Sequence, residues 1–229
     1  MAILPFSVAT AAIFYGPTGY LSFSDSPFGG QSFDYFYLED FEDGALNTPG
    51  VSISEVATTN ISTSYSDSVD GDDGVIDGFA TGQTMSLFSN FDTSTFTFNF
   101  SASELDGNLP THAGIVWTDI GRNNGGTPLA TDLIDNTIFE AFHSLGNSLG
   151  VLGPYSLGDT SIRRTTGEDR FFGVTNLDGI SAIKISMPEK NNWEVDHLQY
   201  GSSPVPLPSS LSFLALGLGW LVVRLRRRG

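Results

Sequence analysis

The chain has 229 residues, among them 18 Phe, 26 Gly and no Cys. That length supports one domain with a substantial core, and the lack of Cys excludes disulfides, thiolate zinc sites and a Cys nucleophile. All 26 acidic residues precede Pro204, where only Arg122, Arg163, Arg164, Arg170, Lys184 and Lys190 oppose them, so the body carries a net charge of 6 − 26 = −20; so acidic a surface is a poor partner for nucleic-acid phosphates and attracts cations, Ca²⁺ above all.

Residues 2–15 are apolar, and Ala9-Thr10-Ala11 fits a small-x-small cleavage pattern, yet no Lys or Arg precedes them. A secretory signal opens with cationic residues. Residues 1–14 therefore read as the remnant of a signal peptide whose start lies upstream of Met1, the alternative being a first strand of the domain.

From 15 to 26 the chain is aromatic and punctuated by Gly and Ser, which predicts a strand. Residues 32–41, SFDYFYLEDF, place Phe33, Tyr35, Tyr37 and Glu39 on one parity and Phe36, Leu38 and Asp40 on the other. Both sides are partly apolar, so this reads as a buried strand running into an acidic turn at Glu42-Asp43-Gly44. A short strand is expected at 51–56, and residues 66–78, SDSVDGDDGVIDG, form an acidic loop that lacks the spacing of a Ca²⁺-binding EF-hand.

Residues 84–88 are strand-like, and 94–100 give the cleanest alternation, with Phe96, Phe98 and Phe100 against Thr95, Thr97 and Asn99. AGIVWT at 113–118 reads as a central strand, and 123–127 as a Gly- and Asn-rich loop. Strands at 137–143 and 149–157 flank Leu145-Gly146-Asn147 as a hairpin; 170–175, 180–187 and 193–200 complete the series. About ten strands with short turns predict a mainly β fold, an antiparallel two-sheet sandwich, over residues 15–201.

The chemistry-bearing residues are scattered. His112, His143 and His197 show no metal-ligand spacing, no Gly-x-Ser-x-Gly elbow is present, and Glu168 and Asp169 are adjacent, so they diverge on a strand. Trp117 and Trp193 suit either core packing or stacking on a sugar. Non-catalytic binding is favoured, with an extracellular hydrolase as the weaker alternative.

Residues 202–229 differ from everything before them. Pro204, Pro206 and Pro208 lead into an apolar run containing Leu211, Phe213, Leu214, Leu216, Leu218, Trp220, Leu221, Val222 and Val223, closed by Arg224, Arg226, Arg227 and Arg228. The run is short beside the ~20 residues of a typical span, but Ser209 and Ser210 extend it and Arg224 can snorkel. The positive-inside rule keeps the arginines cytoplasmic and the body outside the inner membrane. The tail resembles the PEP-CTERM sorting signal of Gram-negative envelope proteins, with Val205, Pro206, Leu207 and Pro208 as its short motif and Leu207 in place of the commoner Glu. The resemblance implies a C-terminal transmembrane helix and recognition by an exosortase, a membrane Cys transpeptidase-like enzyme, before display at the cell surface or in the extracellular matrix. An ordinary C-terminal anchor is the alternative.

The segments LEDFEDG (38–44), THAGIVWTD (111–119), EDRFFGV (168–174), GISAIKI (179–185) and WEVDHLQYG (193–201) resemble a recurrent exported domain of PEP-CTERM proteins and, more loosely, jelly-roll carbohydrate-binding modules. The second likeness implies a polysaccharide partner and a structural Ca²⁺ shared by acidic residues near the first strands, Glu39, Asp40 or Glu42, and by Asp196 in the last.

Overall fold

The computed structural model describes residues 11–55, 57–60, 67–69, 85–89, 93–119, 136–158, 167–188 and 193–204. They form β1 (Ile13–Gly19), β2 (Tyr35–Glu39), β3 (Val51–Ile53), β4 (Ala57–Asn60), β5 (Ser86–Ser89), β6 (Thr95–Phe100), β7 (His112–Asp119), β8 (Thr137–Phe142), β9 (Ser148–Tyr155), β10 (Arg170–Thr175), β11 (Ala182–Ser186) and β12 (Glu194–Ser202), with short 3₁₀ turns at Phe23–Asp25 and Ala102–Glu104. The expected C-terminal helix and the sorting motif fall on residues 205–229, outside the described residues.

All strand pairs are antiparallel, in two sheets. One runs β1-β10-β7-β12-β5-β4, with β2 also paired to β12; the other runs β3-β6-β11-β8-β9. Alternation dictates what lies between them. Phe96, Phe98 and Phe100 of β6 all turn inward, as the sequence predicts, and meet Ile115 and Trp117 of β7, Phe172 of β10, Ile183 and Ile185 of β11, and Leu198 and Tyr200 of β12 in one core. Aromatic pairs tie the layers: Phe139 stacks on Phe172 with ring centroids 5.9 Å apart, and Phe96 meets Trp193 at 4.6 Å.

The described strands reach into the segment read as a signal remnant. β1 starts at Ile13, and Phe14 packs against the main core. Nor does the strand predicted at 15–26 run its full length: β1 ends at Gly19, and residues 20–33 cross the outer face of the seven-stranded sheet. There Tyr20 and Phe28 join Val116 and Phe171 in a second apolar cluster. β7 is consequently buried along its whole length, which is why HAGIVWTD shows no polar alternation.

Gly114 and Gly173 are cross-strand partners on that outer face, and the Phe171 ring occupies the space their missing side chains leave. A Cβ at Gly114 would come within 2.4 Å of Phe171 Cζ and 2.7 Å of the Phe172 carbonyl. Gly114→Ala is expected to destabilise the body by about 1–3 kcal/mol through overpacking, measured by urea unfolding. Leu145→Ala, at a side chain 80% exposed, should change it by less than about 0.5 kcal/mol.

Candidate functional site

Buried acidic side chains dominate the chemistry of this sandwich: Glu39, Asp67, Asp119, Glu168, Asp169, Glu194 and Asp196 are each at most 4% exposed. Backbone N–H groups and hydroxyls engage Glu39, Glu194 and Asp196. At the end of β2, Glu39 accepts from the amides of Phe41 (3.1 Å), Asn47 (3.0 Å) and Thr48 (3.1 Å), which fixes the loop that leads to β3. Asp40 accepts from the Glu42 amide at 3.1 Å, and Glu42 in turn accepts from the Met85 amide at 2.6 Å. The acidic turn is thus held by its own carboxylates.

On the outer face, Glu194 accepts from the Asp67 amide (2.6 Å) and the Ser86 hydroxyl (2.7 Å). Asp196 accepts from the Ser68 hydroxyl (2.8 Å), the Val69 amide (3.0 Å) and the amide of His197 (2.7 Å). Thr118 donates its hydroxyl to the Asp67 carbonyl at 2.8 Å. Residues 67–69, the start of the predicted acidic loop, are therefore fastened across β7 and β12. Asp119, the register partner of Glu194, lies at the same end, as do Glu168 and Asp169, which lead into β10.

The four residues expected to share a Ca²⁺ are not brought together. Glu39 pairs in register with Leu198, whose side chain is in the main core, whereas Asp196 pairs with Val116 of the outer cluster. The two carboxylates point to opposite faces. The reason is a bulge. The register shifts between Asp196 and Gln199, and His197 has φ +43°, a left-handed conformation that His adopts more readily than most residues. One extra residue reverses parity, so Asp196 and Leu198 face opposite ways although they stand two apart. Amide donors engage Glu39, Asp40 and Glu42, and amides and a hydroxyl engage Asp196. Among the described residues no group of three or more His, Asp or Glu is arranged to hold a metal.

The histidines serve the outer layer and the turns. Tyr20 OH lies 3.1 Å from His197 Nδ1 and accepts from Gln199 Nε2 at 2.8 Å; Gln199 Oε1 accepts from the Ser26 hydroxyl at 2.6 Å. His112 packs edge-on against Phe28 and Phe33 and contacts the Thr111 hydroxyl at 2.9 Å. Burial lowers its pKa and keeps it neutral. His143 contacts Ser144 beside the hairpin turn. Trp117 and Trp193 are fully buried in the main core, so neither offers a ring to a sugar. What the sequence did not reveal is the meeting of residues 67–69 with Glu194 and Asp196. The alternation Glu194-Val195-Asp196 carries that signal, since an inward Val195 turns both acids outward.

Glu39→Gln, which loses the charge and one strong acceptor, is expected to cost about 1–3 kcal/mol in urea unfolding. The loss should be the same with Ca²⁺ and with chelator, because the role is amide acceptance and not ligation. For His112, the folded state disfavours the proton, so its stabilising contribution is complete above the ordinary pKa of about 6.5 and is lost as pH falls through the lowered folded value. Stability measured from pH 8 down to pH 5 should decline, and His112→Gln should flatten that slope. Comparison with family models, with curated proteins and with solved structures finds no match for this chain.

Proposed function

We propose that this is an exported, non-catalytic envelope or extracellular-matrix protein: a jelly-roll-like β-sandwich carried on a PEP-CTERM-like sorting and anchoring tail. The observation that carries this reading is the order of features after the last strand. β12 ends at Ser202, and Val205-Pro206-Leu207-Pro208, an apolar run to Val223 and four arginines follow without an intervening acidic residue. In this reading the apolar run sits in the inner membrane, the arginines stay cytoplasmic, and an exosortase is the processing partner.

The sandwich supports a binding or structural role over catalysis. Its buried carboxylates secure loops, and its histidines contact hydroxyl, phenol and aromatic groups. The burial of both Trp117 and Trp193 removes the sugar platform that the carbohydrate-binding alternative drew from the sequence.

The test is expression of the full chain behind a secretory signal in a Gram-negative host, with and without an exosortase. The expected result is a membrane-bound chain whose body is open to protease from the periplasmic side, released only when the exosortase is present. Replacing Arg224, Arg226, Arg227 and Arg228 with Glu should abolish that topology. A body found in the cytoplasm, or release indifferent to the exosortase, overturns the reading.

A further inference from the structure

The sandwich has two unlike ends, and the strand registers define them. Ile13, Thr175, His112 and Gly201 align across β1, β10, β7 and β12, so the chain enters the sheet and leaves it at one end. Short connections close this end: the hairpin turn at 143–147, residues 176–181, and residues 101–111. The buried Asp119, Glu168, Asp169 and Glu194 lie at the other end, where β7 stops and β10 and β12 start.

Among the described residues, the three most exposed large apolar side chains gather at the exit end, while Val151, 53% exposed, stands apart on β9. Ile13 is 55% exposed at the first residue of β1, Leu177 56% in the loop after β10, and Leu145 80% at the hairpin tip. They are neighbours through the fold. Ile13 is the register partner of Thr175, two residues before Leu177, and the loop 176–181 is tied to the hairpin by the Ser181 hydroxyl, which donates to the His143 carbonyl at 2.7 Å.

The length of the tail decides what this rim meets. Six residues lie between Pro204 and Leu211, and the seven steps from one to the other reach at most about 25 Å when fully extended. β12 has nine residues and is itself about 30 Å long. A membrane-embedded apolar run therefore draws the exit end, and not the carboxylate end, toward the bilayer.

We propose that Ile13, Leu145 and Leu177 form a lipid-facing rim on which the body stands against the membrane interface, with its carboxylate end held outward. The inference rests on the anchoring role proposed for the tail. The contact is apolar: the exposed acids at this end, Asp34, Glu104, Asp106 and Asp178, give no attraction to anionic headgroups, so docking depends on insertion of these side chains at the interface.

The absence of native Cys makes the test direct. Leu145→Cys, Leu177→Cys and, at the exposed far end, Pro188→Cys would each carry an environment-sensitive dye on the full chain. The labelled chains are reconstituted in vesicles of phosphatidylethanolamine and phosphatidylglycerol, with and without a bilayer-embedded quencher. The expected result is co-flotation of all three, with dyes at 145 and 177 blue-shifted and quenched several-fold more than the dye at 188. Co-flotation with no quenching at 145 and 177, or with equal quenching at 188, overturns the rim while leaving the anchor intact. Failure to co-float overturns the anchor and the rim together.

Discussion

The structure depends on carboxylates that accept hydrogen bonds from loop backbone. A buried amide without a partner is costly, and an ionised oxygen is a stronger acceptor than a neutral one. Glu39 gathers three amides from its own loop, and Glu194 and Asp196 bind residues 67–69 to the sheet. Glu55 does the same for the edge of the second sheet, accepting from the Thr97 amide at 2.7 Å and its hydroxyl at 2.9 Å. The acidity of the body is thus partly architectural, since irregular segments are tethered by side chains where a β-ladder is absent.

That tethering allows the seven-stranded sheet to be covered on both faces. Its inner face meets the second sheet, and its outer face lies under residues 20–33 and 67–69. β12 shows the result most fully: all nine of its residues are buried, although Glu194, Asp196, His197 and Gln199 are polar. Each of those side chains meets a partner from the covering segments or from its own backbone. The polar groups of this strand specify how the cover sits, while Val195, Leu198 and Tyr200 supply its share of the core.

Period-two elements were legible because alternation is local. The inward Phe residues of β6, the central character of β7 and the turn between β8 and β9 all follow from neighbouring residues alone. Two features were not. The sequence at 20–33 is as aromatic as a strand, and only its packing on Phe171 and Val116 makes it a cover. The bulge at His197 inserts one residue that no pattern announces, and it separates Asp196 from Glu39. Strand pairing also surpassed what short segments disclose: β3 spans three residues and β4 four, too few for alternation to mark them apart. The tail signal is compositional and is read from order and charge rather than from the fold.

The placement of β12 has a mechanical consequence. It lies inside its sheet, bonded to β7 on one side and to β5 and β2 on the other, and it is the strand from which the chain departs. Antiparallel ladder bonds run perpendicular to the strand. Tension passing from the far end of the sandwich to the tail runs along β12 and shears its ladders, so the bonds on both sides share the load instead of opening one at a time. The strand that ends the fold is also the one best placed to resist extraction from it.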